Sequence, residues 1–196
     1  MTSPAPGPGL DLGGADALAC AVLPSEAWVF GKIPAHGDFV GRGLSPDLRD
    51  VLDNWLSAEL ARARARFPDF DERYRLAPPW HFTDCDPTGQ WSGGALCLSI
   101  DAVGRRFPVL LAAPAAGAAE AEAMALAALE LVFEALGGGW DVARLHEALR
   151  NTAPRASTGA ARQWPSWAIE AEDGTRVEEA GRFPDGLIER MLELAE

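Results

Sequence analysis

The stretch GGALCLSIDAVGRRFPVLLAAP, residues 93–114, carries the clearest fold signal in the sequence. Its first half alternates apolar and polar side chains from Leu96 to Asp101, which is typical of a β-strand with one face on a core and the other polar. The next three residues, AVG, predict a turn with glycine where a left-handed backbone is needed, and this loop length places Asp101 opposite Arg105. The stretch therefore predicts a β-hairpin, in which Pro108 marks an edge strand or a bulge.

Shorter elements precede this hairpin. The segments AWVFGKIP and PPWHFTD each predict a short strand of bulky residues. Between them, Ser45 and Pro46 are an N-cap and first-turn pair that begins an amphipathic helix. Its apolar residues recur at helical spacing: Leu48, Val51, Leu52, Trp55, Leu56, Leu60 and Phe67.

Helices and a second pair of strands follow the hairpin. An alanine-rich helix is predicted from about Ala118 to Leu136, and Asp141 caps the next helix. The apolar positions of the alanine-rich helix are Met124, Leu126, Leu129, Val132, Phe133 and Leu136. SWAIEAEDGTRVEE then predicts two strands about an Asp-Gly turn, and Pro184 opens a last helix. This order of elements predicts an α/β fold with a mixed, partly antiparallel sheet covered by helices.

Length and composition indicate one domain with a leader. The chain has 196 residues, of which 48% are hydrophobic, which is enough to build a single core. Residues 1–24 are dominated by Pro, Gly and Ala, a composition typical of disorder. We therefore predict a disordered leader over residues 1–24 and a single α/β domain over residues 25–196.

Charge and cysteine usage narrow the function classes. A formal net charge of -12 argues against a general nucleic-acid binder and against an anionic-membrane binder. Three cysteines are an odd count at irregular spacing, so no disulfide framework is indicated. No signal peptide is recognised, and no run of about 18 apolar residues offers direct membrane insertion. We expect a cytoplasmic protein.

The stretch VFGKIPAHGDFVGRG, residues 29–43, raises the question of a phosphate or catalytic site. A P-loop requires GxxxxGK[ST], but here Gly-Lys precedes the loop and no Ser or Thr follows. A hydrolase could be assembled from His36, Asp38 or Asp101, and Ser99, yet the GxSxG elbow is absent. The pattern favours a turn held by Gly37 with a structural Asp38, and predicts no catalytic residue and no cofactor.

A second cluster, WHFTDCD, contains ligand types for a metal: His81, Asp84, Cys85 and Asp86. Zinc would need a second pair of ligands from His36, His146, Cys20 and Cys97. Turn and capping roles explain the aspartates better, so we predict no metal. Among the tryptophans, three are predicted in the core, and three in or beside loops are candidate partner anchors. The core set is Trp28, Trp55 and Trp80, and the loop set is Trp91, Trp164 and Trp167.

Three phrases in order, FGKIPAHGDFVGRG, PPWHF and WSGGALCLSIDAVGRRFPV, resemble the TagF (ImpM) family of type VI secretion accessory proteins. The resemblance covers the chain from about Trp28 to Arg150, with GK-x-P-x-x-GDF and D-x-VGR-x-FP as its two motif blocks. The candidate partner-binding or motif residues are Gly31, Lys32, Pro34, His36, Gly37, Asp38 and Phe39 in the first block, and Ser99, Asp101, Gly104, Arg105 and Pro108 in the second.

The resemblance implies an α/β sandwich, so the predicted fold becomes a three-layer αβα sandwich with helices on both faces of the sheet. It also implies a non-enzymatic, cytoplasmic negative regulator that acts after translation by binding the forkhead-associated scaffold protein of the type VI secretion system. Two alternatives stay open at this point. One is a hydrolase or a small-anion or nucleotide binder that uses the GKIPAHGD loop, and the other is a structural subunit of the secretion apparatus.

Overall fold

The structure is a computed structural model that describes residues 20–154, 165–170 and 176–195. Within these ranges seven strands form one sheet in the order β2-β1-β5-β4-β3-β6-β7. The strands are β1 (Trp28–Gly31), β2 (Val40–Arg42), β3 (Trp80–Cys85), β4 (Trp91–Cys97), β5 (Val109–Ala115), β6 (Ser166–Glu170) and β7 (Arg176–Ala180). The helices are α1 (Pro46–Arg66), α2 (Phe70–Leu76), α3 (Ala118–Gly137), α4 (Val142–Arg150) and α5 (Leu187–Glu193).

Two predicted helix caps are confirmed. The Ser45 hydroxyl accepts a hydrogen bond from the Leu48 backbone N–H at 3.2 Å, with proline in the first turn of α1. The Asp141 carboxylate accepts from the Arg144 N–H at 2.8 Å at the start of α4. Helix α2, a short helix of seven residues, was not predicted.

The α/β fold is confirmed, but the sheet is antiparallel at every pairing between the described strands. The prediction of a mixed sheet is wrong in that respect. A parallel pair arises when a helical crossover joins neighbouring strands. Here α1 and α2 connect β2 to β3, and α3 and α4 lie between β5 and β6 in the chain. Neither pair of strands is adjacent in the sheet.

Two hydrophobic cores lie on opposite faces of the sheet, so the three-layer arrangement is confirmed. Alternate strand residues point to opposite faces. Phe30 on β1 joins the core beneath α1, α2 and α5, whereas its neighbour Val29 joins the core beneath α3 and α4. Because both faces are covered, the polar positions of the hairpin are buried too, and Ser99 and Asp101 are each only 4% exposed. The side chains of Ser99 and Asp101 therefore do not face solvent.

Helix α3 packs very closely on β4. A Cβ on Gly93 would lie 1.8 Å from the Ala121 carbonyl oxygen, so the helix backbone almost touches the strand. Such an approach requires small residues on the helix face that meets the sheet, and alanines supply most of this face. The bulky Leu126 and Phe133 consequently lie elsewhere on α3, and Phe133 is 55% exposed.

The predictions for the leader and for the segment after α4 have different outcomes. Residues 1–19 of the predicted leader lie outside the described residues, as do Trp164 and the Asp-Gly turn. Within the leader's last part, Leu23 is buried and donates its N–H to Asp86 at 2.8 Å. Trp167 is no loop anchor: β6 pairs with β3, and this pairing buries Trp167 against Phe82 with ring centroids 4.5 Å apart.

Candidate functional site

The candidate site begins where β1 ends, beside the residue that precedes β5. Gly31 has a φ of +124°, and a Cβ there would lie 1.9 Å from the Pro108 carbonyl oxygen, so the position requires glycine. The Lys32 backbone N–H donates to that same oxygen at 3.2 Å. Strand β5 lies between β1 and β4, so the prediction that Pro108 marks an edge strand is wrong. Proline is tolerated because it precedes Val109, where pairing with β1 begins.

An ion pair joins the two motif blocks beneath the surface. Lys32 turns inward and is only 4% exposed, and its Nζ lies 2.6 Å from Oδ2 of Asp101. The two residues are 69 positions apart in sequence. A buried ammonium or carboxylate is costly unless it is paired and hydrogen-bonded. The buried Lys32 ammonium therefore depends on Asp101.

Asp101 also organises the β4–β5 turn. Its Oδ1 accepts hydrogen bonds from the backbone N–H groups of Val103 at 3.0 Å and Arg105 at 2.8 Å. Its Oδ2 accepts from Nε of Arg105 at 2.7 Å, and Gly104 adopts a φ of +87°, so the predicted turn and pairing are confirmed. Burial by itself raises the pKa of a carboxyl, but hydrogen bonds from Lys32 and Arg105 hold the pKa of Asp101 well below its usual range.

The loop after β1 is fastened at three points by His36. Its N–H donates to Ile33 at 3.1 Å, which closes a tight turn with Pro34 at the position where a fixed φ favours it. Its carbonyl oxygen accepts from Ala102 at 2.9 Å, which ties the loop to the β4–β5 turn. Its Nε2 accepts from the Val142 N–H at 3.2 Å, which ties the loop to α4.

The outer side of this assembly carries an aromatic ring. Phe39 is 48% exposed and packs edge-on against Phe107, with centroids 4.7 Å apart, and also stacks on Phe30 at 6.1 Å. The buried Nζ of Lys32 lies 4.9 Å from the Phe39 centroid. One face of the ring is thus held by the core while the rest meets solvent.

The tip of the β4–β5 turn lies next to the loop that carries Phe39. Val103 is 68% exposed, and a Cβ on Gly37 would be 3.9 Å from its Cγ1. Arg105 donates to the Gly37 carbonyl oxygen and lies 3.6 Å from the exposed Asp38 carboxylate. We call the exposed side chains of Asp38, Phe39, Val103 and Arg105 the motif surface.

Comparisons with known proteins identify the family. The sequence matches the TagF N-terminal domain, described as type VI secretion system-associated, over residues 28–163, which is more than half of the chain. The chain belongs to the TagF family. The TagF match extends past Arg150, where the motif resemblance was predicted to end. It associates the chain with type VI secretion.

One solved structure supports the fold of this TagF chain. The crystal structure of PA0076 from Pseudomonas aeruginosa PAO1 superposes with a TM-score of 0.65, covering 85% of this chain and 93% of that chain at 20% identity. Identity this low shows the fold alone. No curated protein sequence matches the chain.

Within the TagF motif blocks, the structure brings most candidate residues into one assembly, whereas the described contacts of Ser99 are made by its backbone. Tyr74 on α2 donates its hydroxyl to the Ser99 carbonyl oxygen at 2.9 Å, and Phe107 donates its N–H to the same oxygen at 3.1 Å. Sequence reasoning missed Val103, Phe107 and Tyr74. An apolar residue at the tip of a predicted turn was the available signal for Val103.

The side chains that a hydrolase would use are not assembled. The Ser99 hydroxyl is buried and has no hydrogen-bond partner among the described residues, so it is not bonded to His36. The Nε2 atom of His36 is engaged by a backbone N–H, and both oxygens of Asp101 are engaged within the turn. A nucleophile, a base and an orienting carboxylate in mutual contact are what such catalysis requires.

The aspartates of the WHFTDCD cluster make structural contacts. Asp84 forms an ion pair with Arg182 at 2.6 Å, while Asp86 accepts the N–H groups of Thr88 and Gln90, which confirms a turn role for Asp86. In residues 20–154, 165–170 and 176–195, no three His, Cys, Asp or Glu side chains are grouped to hold a metal ion. No helix in the same ranges is long and apolar enough to cross a membrane.

Proposed function

We propose that this TagF chain is a cytoplasmic accessory protein that restrains type VI secretion after translation by binding the forkhead-associated scaffold protein. The observation that carries the proposal is the motif surface: two segments far apart in sequence, joined by the buried pair of Lys32 and Asp101, present Phe39 and Val103 together to solvent. The family match, which is described as type VI secretion system-associated, supports a role in this secretion system.

The physical properties of the motif surface suit protein recognition. Aromatic side chains dominate binding energy at many interfaces, and Phe39 offers half its surface while its other face is fixed by Phe107 and Phe30. A pre-organised surface loses little conformational entropy when it binds. Asp38 and Arg105 add one charge of each sign at the edge, which favours a specific orientation of the partner.

The buried pair supports this surface from below. The Lys32 ammonium is paired with the Asp101 carboxylate. The proposal therefore assigns Lys32 to holding the loop after β1 and Asp38 to the exposed rim of the motif surface. This distinction has a measurable consequence: a substitution at Lys32 reduces stability and partner binding together, whereas Asp38→Ala changes binding alone.

The proposal is of a binding protein, not an enzyme. It is supported by the lack of a hydrogen bond between the Ser99 hydroxyl and His36 and by the pairing of the buried Lys32 ammonium with Asp101. A ligand screen with phosphates, nucleotides and esters tests the alternative, since a ligand at 100 times its Kd stabilises the folded state by about 2.7 kcal/mol. A clear thermal shift would favour the enzyme or anion-binding hypothesis.

The direct test is a calorimetric titration with the scaffold protein from the same secretion gene cluster. We expect Phe39→Ala to weaken binding by about tenfold or more, which equals roughly 1.4 kcal/mol. Leu76→Ala is the matched control, because Leu76 is 54% exposed and lies on α2 outside the motif surface. Absence of binding by the unmodified chain, together with unchanged secretion after deletion or overexpression, would overturn the proposal. Stable co-purification with assembled complexes would favour the structural-subunit alternative.

A further inference from the structure

Helix α3 carries a stripe of bulky apolar side chains that the core buries only in part. Leu126, Leu129 and Phe133 follow at i, i+3 and i+7, so they lie on one side of the helix over about two turns. Leu126 and Leu129 are half-buried, and Phe133 is exposed. Met124 and Val132 are buried in the core with the alanines, and Leu129 packs partly against the same core. The exposed part of this stripe, above all Phe133, is left for another contact.

This stripe forms one wall of a groove. The opposite wall comes from Pro78 and Pro79 at the start of β3 and from Ile169 on β6, and the cavity between the walls has a volume of about 340 Å³. We call it the α3 groove. Strands β5 and β4 lie between β3 and β1, whose exit loop carries part of the motif surface, so the groove is a separate feature.

The charges around the α3 groove are predominantly negative. Helix α3 contains four glutamates and no basic residue, and Glu170 lines the groove from β6. Arg176 pairs with Glu170 at 2.8 Å and with Glu178, and its guanidinium lies 3.9 Å from Glu122. Among residues 20–154, 165–170 and 176–195, acidic side chains therefore outnumber this arginine around the groove. A second copy of a chain with a net charge of -12 would add repulsion, whereas Lys or Arg would be attracted.

We propose that the α3 groove is a docking site for an amphipathic helix of another protein, with apolar side chains in the groove and Lys or Arg along the flank. Two turns of apolar wall match the spacing at which one face of a helix presents its residues, which is how amphipathic helices bind grooves. The basic flank meets Glu134 on α3 and Glu170 across the groove. This inference does not depend on the scaffold binding proposed above.

The test uses the full chain and a phage-displayed library of 16-residue peptides. Each peptide has a fixed Leu stripe at helical spacing, and its flanking positions are randomised among Lys, Gln and Glu. We expect selection to enrich Lys over Glu, and a selected peptide to bind Phe133→Ala at least about tenfold more weakly than the unmodified chain. Leu76→Ala, which removes an equally exposed apolar side chain from α2, is expected to bind unchanged.

A charge reversal supplies a second variant. The substitution Glu134→Lys is expected to shift the selected flanks from Lys towards Glu. Absence of Lys enrichment, or equal peptide binding by Phe133→Ala, would overturn the inference. Sedimentation velocity on the chain alone provides another arm: a dimer that Phe133→Ala abolishes would identify a second copy as the occupant and would also overturn it.

Discussion

Glu59 is a buried carboxylate on α1 that holds the C-terminal helix in place. It is 0% exposed, and its two oxygens accept the backbone N–H groups of Gly186 at 3.0 Å and Ile188 at 3.1 Å at the start of α5. Replacing Glu59 with alanine leaves both N–H groups without this acceptor. Leaving the buried Ile188 N–H unsatisfied costs about 1–3 kcal/mol, and losing the hydrogen bond of the part-buried Gly186 N–H costs about 0.5–1.5 kcal/mol. Glu59→Ala should therefore lower the free energy of unfolding by about 1.5–4.5 kcal/mol. Arg62, which also contacts Glu59, is 44% exposed and can be hydrated.

Urea and thermal unfolding measure this effect. For a chain of this length, 1 kcal/mol corresponds to about 2–4 °C in Tm, so the thermal midpoint should fall by roughly 3–18 °C. Hydrogen exchange should also accelerate in α5 more than in the sheet. Glu193→Ala is the control, because that glutamate forms only surface ion pairs with Arg66 and Arg190, worth about 0–1 kcal/mol. Equal stability of Glu59→Ala and Glu193→Ala would refute the reasoning.

Three further predictions concern the buried pair and the contact of α3 with the sheet. Lys32→Met leaves the Asp101 carboxylate buried without its ammonium, so unfolding should require less urea, and adding Asp101→Asn should recover part of the loss; strictly additive losses would contradict the pairing. Because the folded-state pKa of Asp101 is depressed, its stabilisation is present above the usual Asp pKa of about 3.9 and is lost as pH falls towards the folded pKa. The urea-midpoint difference between the unmodified chain and Asp101→Asn should therefore narrow below about pH 4, and a difference constant with pH would argue against this. Gly93→Ala places a methyl group 1.8 Å from the Ala121 oxygen and should lower the free energy of unfolding by about 1–3 kcal/mol. In the control Gly137→Ala the new methyl group meets no atom within 4 Å, so this variant should unfold at nearly the same urea concentration as the unmodified chain. Similar losses of stability in the two variants would show that α3 is not closely packed on β4.

Local features were predictable because neighbouring residues determine them. The Ser45 cap needs only a hydroxyl before a helix, and the β4–β5 turn needs only a three-residue loop with Gly104 in the left-handed region. The pairing of Asp101 with Arg105 follows from the same loop length. These predictions required no knowledge of which strands are adjacent.

Features that depend on strand order were not predictable in the same way. Lys32 meets Asp101 because β1 pairs with β5, although β2, β3 and β4 intervene in the chain. Loop composition alone left the role of Lys32 open between a partner contact and a support for the loop. The burial of Trp167 likewise depends on the pairing of β6 with β3.

The orientation of α3 could not be deduced from periodicity. A helix rich in alanine and leucine is apolar around most of its circumference, so several faces fit a core equally well. The deciding factor is Gly93 on β4, which admits the alanine face to near contact. Phe133, an apolar position of the predicted helix, is consequently exposed and lines the α3 groove.

The most direct test of the account is hydrogen exchange on the full chain with and without the forkhead-associated scaffold protein. If the motif surface is the contact, residues 36–39 and 101–105 should exchange more slowly in the complex, and the titration should saturate this protection. Saturated scaffold binding with unchanged exchange in both segments would contradict the central claim that these two motif blocks form one recognition surface.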